Sequence, residues 1–194
     1  MPRVILLPGS VLPAESAYRD LVTALGPEVD AVAKDLELYA TPEPPEDYDL
    51  ELEVVGVLRE ADDRGWERFH LVGYSGGGAA SLALAAARPE RLASLALLEP
   101  AWAGNWDLSR QEQTLAGEFS RLGDMPADEF MPAFTRLQLA PGVPLPQPPT
   151  GDPPPWMASR PAGIRAFLSS FAAGDIDRDA LRRFDRPFTS RSVA

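Results

Sequence analysis

The sequence predicts an α/β protein, a doubly wound and mostly parallel sheet with a helical cap inserted over it. Three observations carry that expectation. Between residues 3 and 98, short apolar runs alternate with segments of helical spacing. Each run has the length of a strand and is nearly continuous in apolarity, the pattern of strands covered on both faces. From about residue 101 the strand signal stops, and helical patterns with a proline-rich stretch take over.

The predicted strands are Val4-Ile5-Leu6-Leu7, residues 29–33, Phe69-His70-Leu71-Val72 and residues 95–98. Between the first two, Ala14, Tyr18, Leu21, Val22 and Leu25 repeat at helical spacing before Gly26, a natural helix stop. Leu50, Val54, Val57, Leu58 and Ala61 do the same before Gly65. Residues 79–87 are apolar all round and end at Arg88-Pro89, which marks a buried helix. Strands alternating with helices in this way imply parallel pairing with crossover helices.

In the second half, Ser109 and Glu112 form a capping box that opens a helix toward Leu122. Residues 126–139 are a second helical candidate, with Pro132 a candidate break inside it. Residues 141–155 hold eight of the 21 prolines; they cannot ladder into a sheet and are expected to form an extended connector. Ile164, Phe167, Leu168 and Phe171, stopped by Gly174, mark a third helix. The expected organisation is a core over residues 1–100, a helical cap with its proline-rich connector over 101–185, and a closing segment over 186–194. That last segment reads either as the start of a further core strand or as an aberrant tail.

The 194 residues, 45% hydrophobic and 24% charged, suit one domain or one domain with a small lid. A chain of this size buries roughly 70% of its unfolded surface, enough for a core without staples. There is no cysteine, which excludes disulfides and thiolate metal sites, and the single histidine, His70, rules out a histidine-rich metal cluster. No metal and no cofactor are therefore expected. A net charge of −11 repels phosphate backbones and anionic lipid surfaces, so neither nucleic acid nor membrane is an expected partner. The first apolar run is shorter than the roughly 7 to 15 residues of a signal-peptide core, and none approaches membrane-spanning length. With the cysteine count, these features lead to a cytoplasmic expectation.

The sharpest feature is Gly73-Tyr74-Ser75-Gly76-Gly77, a G-x-S-x-G pattern. Taken bare it is weak, since at ordinary Gly and Ser frequencies it arises by chance in roughly one chain of this length in twenty. Its context is stronger: a predicted strand stands immediately before it and a predicted helix immediately after. That arrangement lifts a serine hydroxyl above a sheet edge, and the flanking Gly73 and Gly77 leave room where strand and helix close on each other. The plain alternative is a glycine turn with a surface serine. A dinucleotide fingerprint would need glycine where Ser75 stands, and a phosphate-binding loop would need lysine after Gly78, where the chain has Ala79.

A serine attacking an acyl carbon also needs amide donors for the developing oxyanion. Gly76, after the nucleophile, supplies one. The loop Pro8-Gly9-Ser10-Val11 is expected to supply the other through the Ser10 amide, the alternative being that Gly9 merely turns the chain into the next helix.

These residues resemble the α/β-hydrolase fold family, a serine-hydrolase and esterase-like family. The resemblance rests on Val4-Ile5-Leu6-Leu7-Pro8-Gly9, on the elbow from Leu71 to Gly77, and on Pro89-Glu90-Arg91-Leu92 leading into Leu97-Leu98-Glu99-Pro100. It covers about half of the chain, and residues 101–185 look similar to the cap many members insert here. Pro8 departs from the histidine many members carry before the oxyanion-loop glycine. The resemblance implies a triad of Ser75, an acid and a histidine, with sheet strands continuing after the cap.

No histidine follows His70. His70 precedes Ser75 by five residues, which at ~3.3 Å per residue holds the two about 16 Å apart, so it is expected to be structural. Lys34 closes the second predicted strand at the same sheet edge, which makes a Ser-Lys pair conceivable; a solvated strand-end lysine is the alternative. Glu99 stands where a triad acid could, or is a surface carboxylate. The segment after Asp185-Arg186-Pro187 lacks a strand-like apolar run. In GC-rich codons a one-base shift over residues 187–194 would encode a buried strand, so C-terminal strands are expected to be missing from a frame-shifted or early-terminated chain. An exposed sheet edge would then favour self-association.

Two functions follow as expectations. One is hydrolysis of a small acyl substrate such as an ester, weak or absent for want of a histidine. The other is a non-catalytic module binding a small ligand. Trp102, Trp106 and Trp156 are candidates either to line an apolar pocket or to pack the core.

Overall fold

The computed structural model describes residues 1–147 and 151–191. Strands β1 (Arg3–Leu7), β2 (Asp30–Ala33), β3 (Phe69–Tyr74), β4 (Leu92–Leu98) and β5 (Phe188–Arg191) form one sheet. Their order is β2-β1-β3-β4-β5 and every pairing is parallel. The register sets Leu6 beside Ala33 on one side and beside Val72 on the other. From β1 the chain first steps outward to β2 and then returns past β1 to β3. Between the carboxyl ends of β1 and β3 the winding therefore reverses, which opens a crevice there.

The connecting helices follow the predicted periodicity. Helix α1 (Ala14–Leu25) is fixed at its start by the Asp35 carboxylate, which accepts from the Ala14 amide at 2.7 Å. Tyr18 of α1 donates to the Leu7 carbonyl at 2.7 Å, tying the helix to the end of β1. Helix α2 (Leu50–Asp63) is capped by Asp49, whose side chain accepts from Leu52. Helix α3 (Gly76–Ala87) is buried along most of its length, and its small residues let it lie close over the sheet.

The core gathers Ile5, Leu7, Leu71 and Phe69 of the sheet with Val54, Val57 and Ala79 of the helices. Burial of each large apolar side chain stabilises by roughly 1.5–3 kcal/mol.

Over the sheet lie α4 (Arg110–Arg121), α5 (Ala127–Leu137) and α6 (Arg160–Ala173), followed by the short α7 (Arg178–Arg182). The capping box of α4 is complete, with Glu112 accepting from Ser109 at 2.7 Å and Ser109 from Glu112 at 3.2 Å. Pro132 does not break α5; the helix runs through it. Phe130 and Phe134, one turn apart and stacked at 6.0 Å, pack with Leu122 and Ile164 into a second cluster. Packing of that face outweighs the lost backbone bond.

Residues 141–147 are irregular, a 3-10 turn spans Pro155–Ser159, and the connector expectation for 148–150 lies outside the described residues. Strand β5 was not signalled by any apolar run. All four of its residues are exposed, and it is recruited by backbone pairing to β4, from Leu95 beside Phe188 to Leu98 beside Arg191. The expectation for residues 192–194 lies outside the described residues. Among the described residues no helix is long and apolar enough to cross a membrane.

Candidate active site

Ser75 stands between the end of β3 and the first residue of α3 with φ 49° and ψ −114°, a left-handed conformation costly for any residue with a Cβ. The fold holds it there from three directions. Its amide donates to the Leu98 carbonyl of β4 at 3.0 Å; its carbonyl accepts from Gly78 at 2.9 Å and from Ala101 at 2.9 Å. Gly77 then donates to the Pro8 carbonyl at 2.9 Å, which ties the turn to the loop after β1.

The glycines around Ser75 are spatial requirements. A Cβ on Gly73 would collide with Ser81 Oγ and the Gly77 carbonyl. One on Gly77 would lie 2.5 Å from the Leu7 carbonyl oxygen and 2.6 Å from that of Pro8. One on Gly78 would lie 2.8 Å from Pro100 Cα. Ser81, fully buried, donates to the Gly77 carbonyl at 2.6 Å and so fills the space beneath the turn. Ser81 is not apparent from the sequence, where its only signal is a hydroxyl in an otherwise apolar helix.

Ser10 is buried and lies in the same crevice, where a Cβ added to Gly76 would come within 3.4 Å of the Ser10 nitrogen. Gly76 opens α3, so its N–H has no intrahelical acceptor, and the helix end carries partial positive charge. The fold thus brings Ser10, Gly73, Ser75, Gly76 and Gly77 together.

In front of Ser75 is a cavity of about 790 Å³, lined by Ser10, Tyr74, Ser75 and Glu99. Its apolar wall includes Trp102, Trp106, Phe119, Phe134, Phe167 and Phe171. Trp102 stacks on Phe171 with centroids 5.0 Å apart and planes 11° from parallel. Trp156 does not line this cavity; it lies beside Arg160, whose guanidinium carbon is 5.2 Å from its ring. Glu99, also left-handed at φ 45°, donates through its amide to the Arg191 carbonyl at 2.7 Å, so β5 helps set the far side of the crevice. Behind the crevice, burial and the neighbouring Tyr74 push the Tyr18 phenol up to about 12.

The basic groups are placed elsewhere. His70 Nδ1 and Ser94 Oγ lie 2.8 Å apart across the β3–β4 pair, at the opposite end of the strand from Ser75. Lys34 follows the last residue of β2, two strands or about 10 Å from β3. Neither reading of Lys34 holds as stated: it is neither brought to Ser75 nor solvated. Its side chain is 9% exposed and bonds Glu37 at 2.7 Å and the Asp35 carbonyl at 2.8 Å.

A family model described as the alpha/beta hydrolase fold matches residues 47–180. No curated protein matches the chain. Among solved structures, a hydrolase from Pseudomonas aeruginosa is 18% identical with a TM-score of 0.66, the alignment covering 97% of this chain and 70% of that one. A serine hydrolase from the polyaromatic hydrocarbon-degrading bacterium Cycloclasticus zankles is 18% identical with a TM-score of 0.62, covering 98% and 71%. The 2-hydroxy-6-oxo-6-phenylhexa-2,4-dienoate hydrolase of a Rhodococcus strain is 22% identical with a TM-score of 0.59, covering 97% and 72%. At these identities the likeness is one of fold. The family match spans more than half of the sequence, and the chain belongs to the alpha/beta hydrolase fold family.

Proposed function

We propose that the chain carries out serine-centred acyl transfer, with esterase-like hydrolysis of a small apolar substrate as its reaction and Ser75 as nucleophile. The observation that carries this reading is the strained Ser75, held at φ 49° on the wall of an aromatic cavity. Strain persists where surrounding structure over-determines it, and it clusters at functional sites. In the reaction, Ser75 Oγ bonds to the acyl carbon and the carbonyl π pair moves onto oxygen. The N–H groups of Gly76 and Ser10 receive that oxyanion. Collapse breaks the ester bond, the departing alkoxide takes a proton from water and leaves as the alcohol, and water then hydrolyses the acyl-serine by the same sequence.

Each addition requires a base to take a proton, and His70 is engaged with Ser94. The proton therefore passes to water or to a small base from solution. An oxyanion hole and binding without a triad retain roughly 10³ to 10⁴-fold acceleration over water, so turnover is slow. The neighbours named a serine hydrolase and a phenylhexadienoate hydrolase support an acyl or ring-bearing substrate, as do the six aromatic side chains of the wall. The absence of cysteine supports a reducing, cytoplasmic setting.

The engagement of His70 also favours a second reading, a module that binds a small apolar ligand and turns nothing over. A fluorophosphonate probe with intact-mass analysis separates the two. Stoichiometric labelling that disappears in Ser75→Ala supports the hydrolase; no labelling, with an aromatic ester still bound, supports the module.

A further inference from the structure

Tyr39 occupies the 3-10 turn Glu37–Tyr39 after β2, and its hydroxyl donates to the Ser10 carbonyl at 2.6 Å. The loop after β1 is thus gripped at two points. The Pro8 carbonyl accepts from Gly77 of the elbow at 2.9 Å, the Ser10 carbonyl accepts from Tyr39, and the Ser10 nitrogen lies between them. Tyr39 itself does not line the cavity in front of Ser75.

The ring of Tyr39 is held by the cap. The Arg160 guanidinium of α6 sits 3.7 Å from the ring centroid, and Arg160 is 3% exposed with its Nε making no hydrogen bond among the described residues. A buried cation over an aromatic face is a favourable contact, stronger where water is excluded than at an exposed site. Three residues along α6, a Cβ on Gly163 would fall on the Tyr39 ring, 2.8 Å from Cζ, so the glycine makes the space the ring occupies. From the other side the backbone of the turn is fixed by Glu53, fully buried, which accepts from Glu37 at 2.8 Å, from Leu38 at 3.0 Å and from the Tyr48 hydroxyl at 2.9 Å.

We propose that Tyr39 is a positioning residue for the Ser10 amide, through which the cap helix α6 sets the geometry of the oxyanion loop. The proposal rests on the reading of Ser10 and Gly76 as oxyanion donors. Burial raises the Tyr39 phenol above its ordinary value, so the hydroxyl keeps the proton it donates.

Tyr39→Phe keeps the ring beneath Arg160 and deletes only the hydroxyl. With a fluorophosphonate as probe, the maximal labelling rate of Ser75 is expected to fall about tenfold, the scale of one lost positioning hydrogen bond. The probe's binding constant is expected to stay within about twofold, a split that simple destabilisation does not produce. Amide exchange over residues 9–12 is expected to quicken by a similar factor, with β1 and α3 unchanged. Gly163→Ala, which displaces the ring from the helix side, should reproduce the pattern. Unchanged labelling and unchanged loop exchange in Tyr39→Phe would overturn the proposal. Should wild-type Ser75 not label at all, the nucleophile reading fails, and the exchange result alone decides: faster loop exchange sustains the positioning role, unchanged exchange overturns it.

Discussion

Two glycine-to-alanine substitutions in helices of this chain are expected to shift stability in opposite directions. At Gly77 the new methyl would lie 2.5 Å from the Leu7 carbonyl oxygen, 2.6 Å from that of Pro8 and 2.7 Å from the Leu7 carbonyl carbon. All three are main-chain atoms at the end of β1, which is paired on both sides by β2 and β3 and so cannot yield easily. Overpacking of this kind costs about 1–3 kcal/mol, against about 0.5–1 kcal/mol gained from alanine's helix propensity. The net is a loss of up to about 2.5 kcal/mol, a fall in melting temperature of up to about 10 °C for a chain of this size. At Gly117 in α4 the methyl meets nothing within 4 Å. Only the propensity term remains, and a rise of about 1–4 °C is expected. Thermal melts followed by circular dichroism, with urea titrations alongside, measure both. Gly77→Ala stabilising the protein as Gly117→Ala does would refute the close approach of the elbow to the loop after β1.

Ser75→Gly removes the Cβ from a residue at φ 49° and should raise stability by about 1–2 kcal/mol while abolishing covalent labelling; an unchanged urea midpoint would mean the turn is not strained. Burial pushes the Glu53 carboxyl up, with its three hydrogen bonds only partly offsetting the effect. A folded-state value above the unfolded one stabilises most at pH below the ordinary carboxylate range and loses that contribution as pH rises toward the raised value. Wild type should therefore lose stability relative to Glu53→Gln across that window in urea titrations; a constant difference would contradict it. Strand β5 pairs with β4 on one side and with no other strand among the described residues, and Phe188 upon it is 53% exposed. Concentration-dependent dimer formation is expected in sedimentation velocity, and a clean monomer at high concentration counts against it.

The core strands and helices were legible because periodicity and burial coincide in them. Val4 to Leu7 is apolar because β1 is covered on both faces, and residues 79–87 are apolar all round because α3 is nearly enclosed. What the pattern missed, or left as one of two readings as it did the further strand after residue 186, was held by long-range pairing. Strand β5 is fully exposed, so its side chains carry no strand pattern, and only the edge of β4 recruits it. Pro132 argued for a broken helix by a local rule, yet Phe130 and Phe134 pack on Ile164 regardless. Ser75 and its glycines were readable because the turn requires those residue types at fixed spacing. Tyr39, Glu53 and Arg160 were not, since nothing local relates residue 39 to residue 10 or to residue 160. Their roles arise from the tertiary meeting of the β2 turn, α2 and α6.

With Ser75 on the wall of an aromatic cavity and the chain's single histidine bonded to Ser94, the proposed hydrolase reading makes one demand on solution chemistry. Imidazole added as an external base should accelerate hydrolysis of a p-nitrophenyl ester by the wild-type protein well beyond its effect on Ser75→Ala. If Ser75→Ala shows the same rate and the same imidazole dependence, Ser75 is not the nucleophile.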